Sequence, residues 1–567
     1  MVNRSLVQVV VGFGALLLGC GSDLGIHGGS AGGSGGSAGG AGGAGGAGGL
    51  EEIAPVVIQV SPQDMATDVE PDTTIRAQFN TELDEASVTP TSFLVRRPDG
   101  TSVAGSVALD TTGLTAIFSP DSALDLMSPF AAALTTGIRS TDGLRLDANF
   151  VWSFTTRAGA WREAEPLETD DVDATSPQVA LDASGRAIAV WSQSDGVSPR
   201  IWASRFVPGT GWGDAIIISD TGAAGVAKVA ADPQGNAVAV WDESDGMTSS
   251  IWANRFTPMT GWGGGVLVED NAGNAEAAQV GMDRNGNATS LWRQQEATRF
   301  DIWASRLVPS TGWNDAVTIE VNNAGNANFP RLSVAPGGNA MAVWGQSDGT
   351  RINIWANRFV LGMGWENAAL IEQAGGNGML PDVALDSNGD AMAVWSQTDG
   401  TRFNVWANRF TRATRWGSAQ LIETDDGGSA SGTRVVVYPP GNALAVWVQS
   451  NGTVTNIWAN RFTAAGGWGA AELIETDDAG DADSVQIAVD LRGNAIAVWS
   501  QSDGTRRNIW ANRFAPDAGW EAPQLLEAGD AGDAVNPQIA LNAGGRAIAI
   551  WSYNDGTRSG VWANRFE

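Results

Sequence analysis

The chain is short of the side chains most used for chemistry. Its 567 residues hold one histidine, His27, and one cysteine, Cys20. A lone histidine in a glycine-rich stretch rules out His-ligated metal sites and Ser-His-Asp or Cys-His catalysis in the rest of the chain. A lone cysteine allows neither an internal disulfide nor a cysteine metal site. Tyrosine is limited to Tyr438 and Tyr553, which leaves little room for a tyrosine nucleophile. Basic charge is scarce as well: 33 Lys and Arg stand against 63 Asp and Glu, a formal net charge of -30. That balance opposes binding to nucleic acid and to anionic lipid headgroups.

What the N-terminus does contain is an export pattern. Arg4 precedes an apolar run from Leu6 to Leu18, too short for a comfortable membrane span. The run ends in Leu17, Leu18, Gly19 and Cys20, which resembles the lipobox of bacterial lipoproteins. The resemblance implies that residues 1–20 are a signal peptide and lipobox, and that Cys20 carries the lipid. A plain signal peptide ending in cysteine is the alternative. Gly21 and Ser22 follow without an aspartate, which resembles outer-membrane sorting. Residues 21–53 are rich in Gly, Ala and Ser and are read as a flexible tether, unable to bury enough apolar surface to order itself.

Residues 54–156 read as short strands separated by turns. Ile75 to Phe79, Phe93 to Val95, Ser106 to Leu109, Thr115 to Phe118 and Trp152 to Phe154 are the clearest. About seven such strands in a hundred residues predict a β-sandwich. The region resembles the bacterial Ig-like domain of the S-layer-protein type. The matching residues are Ser61-Pro62, Thr67 to Val69, Ile75 to Phe79, Leu83-Asp84, Phe118 to Pro120, Leu124, Gly137-Ile138, Asp142-Gly143 and Trp152 to Thr156, with Phe130 where the family usually has Tyr. The resemblance implies a spacer or adhesive module with no catalytic residues.

Tryptophan dominates residues 159–567. Of 25 tryptophans, 24 fall in three ladders of eight, which begin at Trp161, Trp191 and Trp202 and step by 50 to 52 residues. Such a period means one supersecondary unit copied eight times. Each copy holds four short apolar strands joined by Gly- and Asp-containing turns. The expected fold is all-β: an Ig-like sandwich, then an eight-bladed β-propeller of four-stranded blades. A β-solenoid is the alternative. The phase of the repeat predicts that the strand at 161–168 completes the last blade and closes the ring, removing exposed edges. Structural packing is the expected role of the ladders, and a carbohydrate-stacking platform the rival, which would need exposed rings. An arginine ladder, from Arg205 and Arg255 to Arg565, is expected to bond main-chain carbonyls or inner-strand aspartates such as Asp182, Asp386 and Asp490. Ala335 and Pro439 replace that aspartate in the fourth and sixth copies.

Loops on a rigid scaffold carry function. Ser-Asp-Gly-Thr-type turns place Asp195, Asp245, Asp348, Asp399, Asp503 and Asp555 on the same face as acidic loops such as 476–483. The bland reading is a solvated rim. The sharper ones are a ligand face built on Asp195, Asp348, Asp399, Asp503 and Asp555, and Ca²⁺ at Asp477, Asp478, Asp481 and Asp483, since Ca²⁺ tolerates irregular oxygen-rich loops. The clearest break in the repeat is Arg293 to Arg299, where one glutamate, Glu296, is not a mechanism. No catalytic group emerges. The expectation is a lipid-anchored, non-catalytic envelope protein, in the outer membrane or at the cell surface, that binds an extracellular or periplasmic protein or glycan. A polysaccharide-acting enzyme and a structural envelope component are the alternatives. No cofactor beyond Ca²⁺ is implied.

Overall fold

The computed structural model describes residues 53–567 apart from 169–171, 221, 270–271, 321–323, 374, 425–426, 477–478 and 528–531. Cys20 and all but the end of the tether lie outside the described residues. The described chain is all-β, its one helical turn being the 3₁₀ segment Glu85–Ser87.

Two four-stranded sheets form the first part. One is ordered Val57–Ser61, Ile75–Phe79, Thr115–Pro120, Gly105–Leu109; the other Ala66–Val69, Phe150–Thr156, Pro129–Leu134, Phe93–Arg96. Alternation along these strands puts Ile75, Phe79, Phe93, Phe118, Phe130, Trp152 and Phe154 into one core between the sheets. Phe93 and Phe118 meet across it with centroids 5.9 Å apart.

Eight further sheets follow among the described residues, one per sequence copy. In the first, inner strand Ala174–Leu181 pairs with Ala187–Ser194, which pairs with Pro199–Val207. The outer strand is broken, contrary to the continuous strand expected. Gly211–Trp212 pairs at the C-terminal end of the third strand and Ile216–Ile217 at its middle. A two-residue segment cannot carry a periodic signal, so the break was hidden in the sequence. The last sheet takes its outer strand from the start of the repeat region: Pro166 pairs with Trp562, and Trp161 bridges Phe566. Each inner strand packs against the next, and Asp533–Leu541 of the last packs against Ala174–Leu181 of the first.

The tryptophan ladders differ in burial. The eight rings from Trp191 to Trp551 are fully buried, each packed on apolar residues of the preceding sheet, as Trp344 is on Leu291, Ile302 and Ala304. They stand directly opposite the third ladder in the strand register, Trp191 facing Trp202. The first and third ladders are half-buried. Seven of the first-ladder rings pack against the third-strand phenylalanine at 5.4 to 5.6 Å between centroids, as Trp520 does on Phe514 and Trp365 on Phe359, and Trp313 stands opposite Leu307.

The arginine ladder meets the expected main-chain carbonyl at two positions, Arg306 on Gly338 at 3.0 Å and Arg461 on Pro516 at 2.9 Å, and it has a more general partner that was not expected. Arg205 lies over the Phe256 ring of the next sheet, 5.3 Å from its centroid. The pattern repeats for Arg306, Arg358, Arg409, Arg461 and Arg513, and Arg565 of the last sheet lies 4.8 Å over Phe206 of the first. Leu307 stands where Arg255 would meet a ring. Asp182 instead caps its own turn, accepting from the Ser184 and Arg186 amides and pairing with Arg186 at 2.6 Å. Only Arg306 pairs with the equivalent aspartate of its own sheet, Asp283, at 3.0 Å.

A buried polar relay also joins neighbouring sheets. Trp395 Nε1 donates to Gln397 Oε1 at 2.9 Å, and Gln397 Nε2 donates to Glu372 at 2.9 Å, on the preceding outer strand. The relay recurs at Trp344-Gln346-Glu320, Trp447-Gln449-Glu423 and Trp499-Gln501-Glu475. Burial without a partner would cost each of these groups several kcal/mol, and the relay removes that cost.

The first part packs against the turns at one end of the last sheets. Leu126 N donates to Gly544 O at 2.8 Å, Arg546 Nη2 donates to Leu124 O at 3.0 Å, and Leu126 joins the core of the last sheet. Antiparallel order places the Ser-Asp-Gly-Thr turns at the opposite end.

Candidate functional site

The turn aspartates at that free end are exposed, and their carboxylates are turned back on their own turns. Asp503 Oδ1 accepts from the Thr505 and Arg506 amides at 2.8 and 3.0 Å and from Thr505 Oγ1, while Oδ2 accepts from Asn508 at 3.2 Å. Asp348 and Asp399 repeat this arrangement, and Asp195 adds Arg200 at 2.7 Å. These donors favour the charged form. The Ser198 amide, then Arg200, holds the Asp195 carboxyl down to about 2, and the Thr557 hydroxyl and amide hold Asp555 at about 2. Asp348, Asp399 and Asp503 also lie well below the usual range, the threonine hydroxyl being the main cause in each. Gly504, at φ +89°, supplies the left-handed position that the turn needs.

The acidic loops serve as clips between sheets. Asp173, Asp481 and Asp533 accept the amides of Ser559, Thr455 and Arg507 from the neighbouring sheet at 2.7, 2.9 and 2.8 Å. Asn274, Asn326 and Asn377 do the same elsewhere, so the role does not need a charge. Of the expected Ca²⁺ ligands, Asp477 and Asp478 lie outside the described residues. Asp481 is committed to Thr455, and Asp483 pairs with Arg507 at 2.6 Å. The described half of that loop does not fit a calcium cage. At the break in the repeat, Arg293 pairs with Glu276 at 3.1 Å and lies 4.6 Å over Phe300, an internal packing role.

A different set of residues departs from the eightfold pattern. At one register of the inner strands, opposite Val190, Val240, Leu291, Val343, Val394, Val446, Val498 and Ile550, stand Gln178, Lys228, Gln279, Arg331, Asp382, Arg434, Gln486 and Gln538. All eight are half-buried. They touch around the space the inner strands enclose: Arg331 Nε lies 4.0 Å from Asp382 Oδ1, and Arg434 Nε donates to Gln486 Oε1 at 3.1 Å. Just before this register seven strands carry a bulge whose residue is left-handed: Ser176, Ala277, Phe329, Leu380, Gly432, Ser484 and Asn536, at φ 49° to 64°. Six are not glycine and bear strain of about 1 kcal/mol or more each, which persists only when the surroundings impose it. The strand bearing Lys228 is split instead, into Ala223–Ala224 and Lys228–Ala231.

Lys228 is the sole lysine of the chain. Among the described residues its ammonium has no hydrogen-bond or ion-pair partner, and Arg331 has only the long contact to Asp382. Burial, then the charges of Arg331 and Arg434, pull the Lys228 ammonium down to about 7. Three cations and one aspartate thus converge at the centre of a chain with net charge -30. Sequence reasoning overlooked this belt, because its residues stand on strands read as apolar. Aligning the copies at one register, or counting lysines, exposes it.

Residues 51–156 match the family model of the bacterial Ig-like domain. No curated protein matches the chain. Among solved structures, the chain is similar to a protein of unknown function from Dyadobacter fermentans, at 10% identity and TM-score 0.36, over 72% of this chain and 99% of that one. It is also similar to an α-L-arabinofuranosidase of Fusarium graminearum, in complex with arabinobiose, at 10% identity and TM-score 0.36, over 72% and 97%. A third is an ulvan lyase of a polysaccharide lyase family, at 10% identity and TM-score 0.40, over 69% and 93%.

Proposed function

We propose that the eight sheets are blades of one β-propeller closed by its strand at 161–168, that an Ig-like sandwich serves as its spacer, and that the protein is a non-catalytic binding protein. On this reading a lipid on Cys20 and the tether at 21–53 hold it at the cell envelope, and its ligand is an extracellular or periplasmic protein or glycan. One observation carries the proposal. The turn aspartates, clips and relays repeat and are satisfied internally, whereas the belt from Gln178 to Gln538 varies from copy to copy and holds Lys228 without a partner among the described residues. Variation that gathers differing polar and charged side chains at one register of a symmetric scaffold is what a binding site needs and packing does not.

The test is an array of glycans and envelope proteins probed with wild type, a K228Q/R331Q/R434Q variant, and the Asp477→Ala/Asp481→Ala pair. Binding should be lost in the first variant and kept in the second; the opposite pattern would overturn the belt as the ligand site. A second reading, a glycan stacked on the third tryptophan ladder, draws on grooves of about 570 and 630 Å³ bordered by Trp252 and Trp406. It predicts that Trp252→Ala alone removes the array signal.

A further inference from the structure

We propose that Lys228, Arg331 and Arg434 form a site for an oxyanion, a sulfate or phosphate group that is either free or esterified to a saccharide. The inference rests on the reading of the inner belt as the ligand site and names the chemistry that site would take.

Charge comes first. The belt carries two guanidiniums and one ammonium against the single carboxylate of Asp382, and its other members are the neutral Gln178, Gln279, Gln486 and Gln538. The residual positive charge favours an oxyanion, doubly charged as free sulfate and singly charged as a sulfate ester. Hydrogen-bond capacity comes second. Arg434 spends Nε on Gln486 and Nη1 on the Thr433 carbonyl at 2.8 Å, which fixes its plane and leaves Nη2 to donate inward. Arg331 and Lys228 make no hydrogen bond among the described residues. A partly desolvated cation without an acceptor is costly, and an oxyanion supplies several acceptors at once. Position comes third. The three cations share one register of the second, fourth and sixth inner strands, each of which packs against the next, and the charges of both arginines bear on Lys228. Glutamine occupies the same register in four copies. Lys→Gln and Arg→Gln therefore reproduce residues the scaffold already accepts.

The experiment uses the full chain. Reductive ¹³C-methylation labels Lys228 and otherwise only a free α-amine, so one signal reports the site by NMR. Inorganic sulfate and glucose 6-sulfate are titrated in separate arms against chloride at constant ionic strength. Wild type should show a saturable shift of the Lys228 signal. R434Q and R331Q should each weaken it about tenfold or more, the scale of a lost charge-assisted hydrogen bond, with melting temperatures unchanged. Tighter binding of glucose 6-sulfate identifies an esterified group on a sugar; equal or weaker binding identifies the free anion. Binding should also fall as pH rises from 6 to 9 and the Lys228 ammonium, which faces Arg331, Arg434 and Asp382 of the belt, discharges. No saturable shift at tens of millimolar in either arm, or equal shifts in wild type and the arginine variants, overturns the proposal. Loss of array binding in the triple variant without any anion response would leave the belt as the ligand site and remove only the oxyanion.

Discussion

Introducing a glutamate at Ser219 should destabilise the protein by about 4 kcal/mol at pH 7, and the cost should vanish near pH 4. Seven of the eight sheet junctions have a buried glutamate at the end of the outer strand: Glu168, Glu269, Glu320, Glu372, Glu423, Glu475 and Glu527. The exception is Ser219, whose Oγ accepts the Ile201 amide at 3.0 Å, as Glu168 accepts that of Val561. At that junction the glutamine of the next sheet is replaced by Glu243, which accepts from Trp241 Nε1 and Gly222 N, each at 2.7 Å. Every junction thus holds one carboxylate at the relay position. S219E would set two of them at the separation of the Gln-Glu contacts, 2.6 to 3.2 Å. At an effective dielectric constant near 20 the repulsion is about 5–6 kcal/mol. Protonating one carboxyl at pH 7, from an ordinary value near 4.3, costs about 4 kcal/mol and is the cheaper escape. The folded-state pKa of the pair is then raised, so the variant loses ground to wild type as pH rises from 4 to 7. For about 400 residues melting together the deficit is about 4 °C. Calorimetry at pH 4.5 and 7 measures it. S219E/E243Q should recover most of the loss, though not all, because one glutamine oxygen cannot serve both Trp241 and Gly222. A variant as stable as wild type at pH 7, or a deficit equal at both pH values, would refute the one-carboxylate rule.

Four further outcomes are expected. Leu307→Phe should stabilise by about 0.5–1 kcal/mol by giving Arg255 the ring its seven counterparts have, and R255M should cancel the gain in a double-mutant cycle read by denaturant melts. Internal deletion of residues 159–169 should abolish cooperative unfolding of the repeat region, because it strips Trp161, Glu165-Pro166 and Glu168 from the last sheet; an unchanged transition rules out closure. Lowered carboxyl pKa values mean that the turn aspartates contribute stability above pH 4 and lose it as pH falls towards 2, so Asp503→Asn should flatten the wild-type decline in melting temperature over that range. Ca²⁺ added after chelation should leave the melting temperature unchanged, because Asp481 and Asp483 are already committed, and a rise would restore the calcium reading of the 477–483 loop.

Architecture was legible wherever a residue has a local job. A tryptophan recurring at the same place in every copy marks a strand, and Asp-Gly marks a turn, whatever the neighbouring copy does. Relations between copies were not legible. Arg-Phe reads as one dipeptide, but the arginine stacks on the phenylalanine one sheet on. Gln397 and Glu372 lie 25 residues apart in sequence and touch only because sheets pack face to face. The turn aspartates attracted a functional reading by their charge, and hydrogen bonding within each turn accounts for them. The inner belt escaped for the converse reason: Gln, Lys, Arg and Asp at one position of a half-buried strand look like noise until eight copies are laid at one register.

The second sheet shows what that register demands. Its inner strand is the one that splits, and no left-handed bulge residue precedes Lys228. Gly225 sits so close to Asp242 that a Cβ there would collide with the carboxylate. Burial and the charge of Glu276 push the Asp242 carboxyl above its ordinary value. The Ser219 and Glu243 exchange falls at the junction between the first sheet and this one. In a scaffold that repeats eight times, each departure forfeits a solution already found in the other copies, and sequences tolerate such local conflict chiefly at functional sites. These departures all lie on the strand bearing Lys228, on the strand paired with it, or at the junction leading into them. On the proposed reading, the second sheet is the copy rebuilt to bring one ammonium to the inner belt.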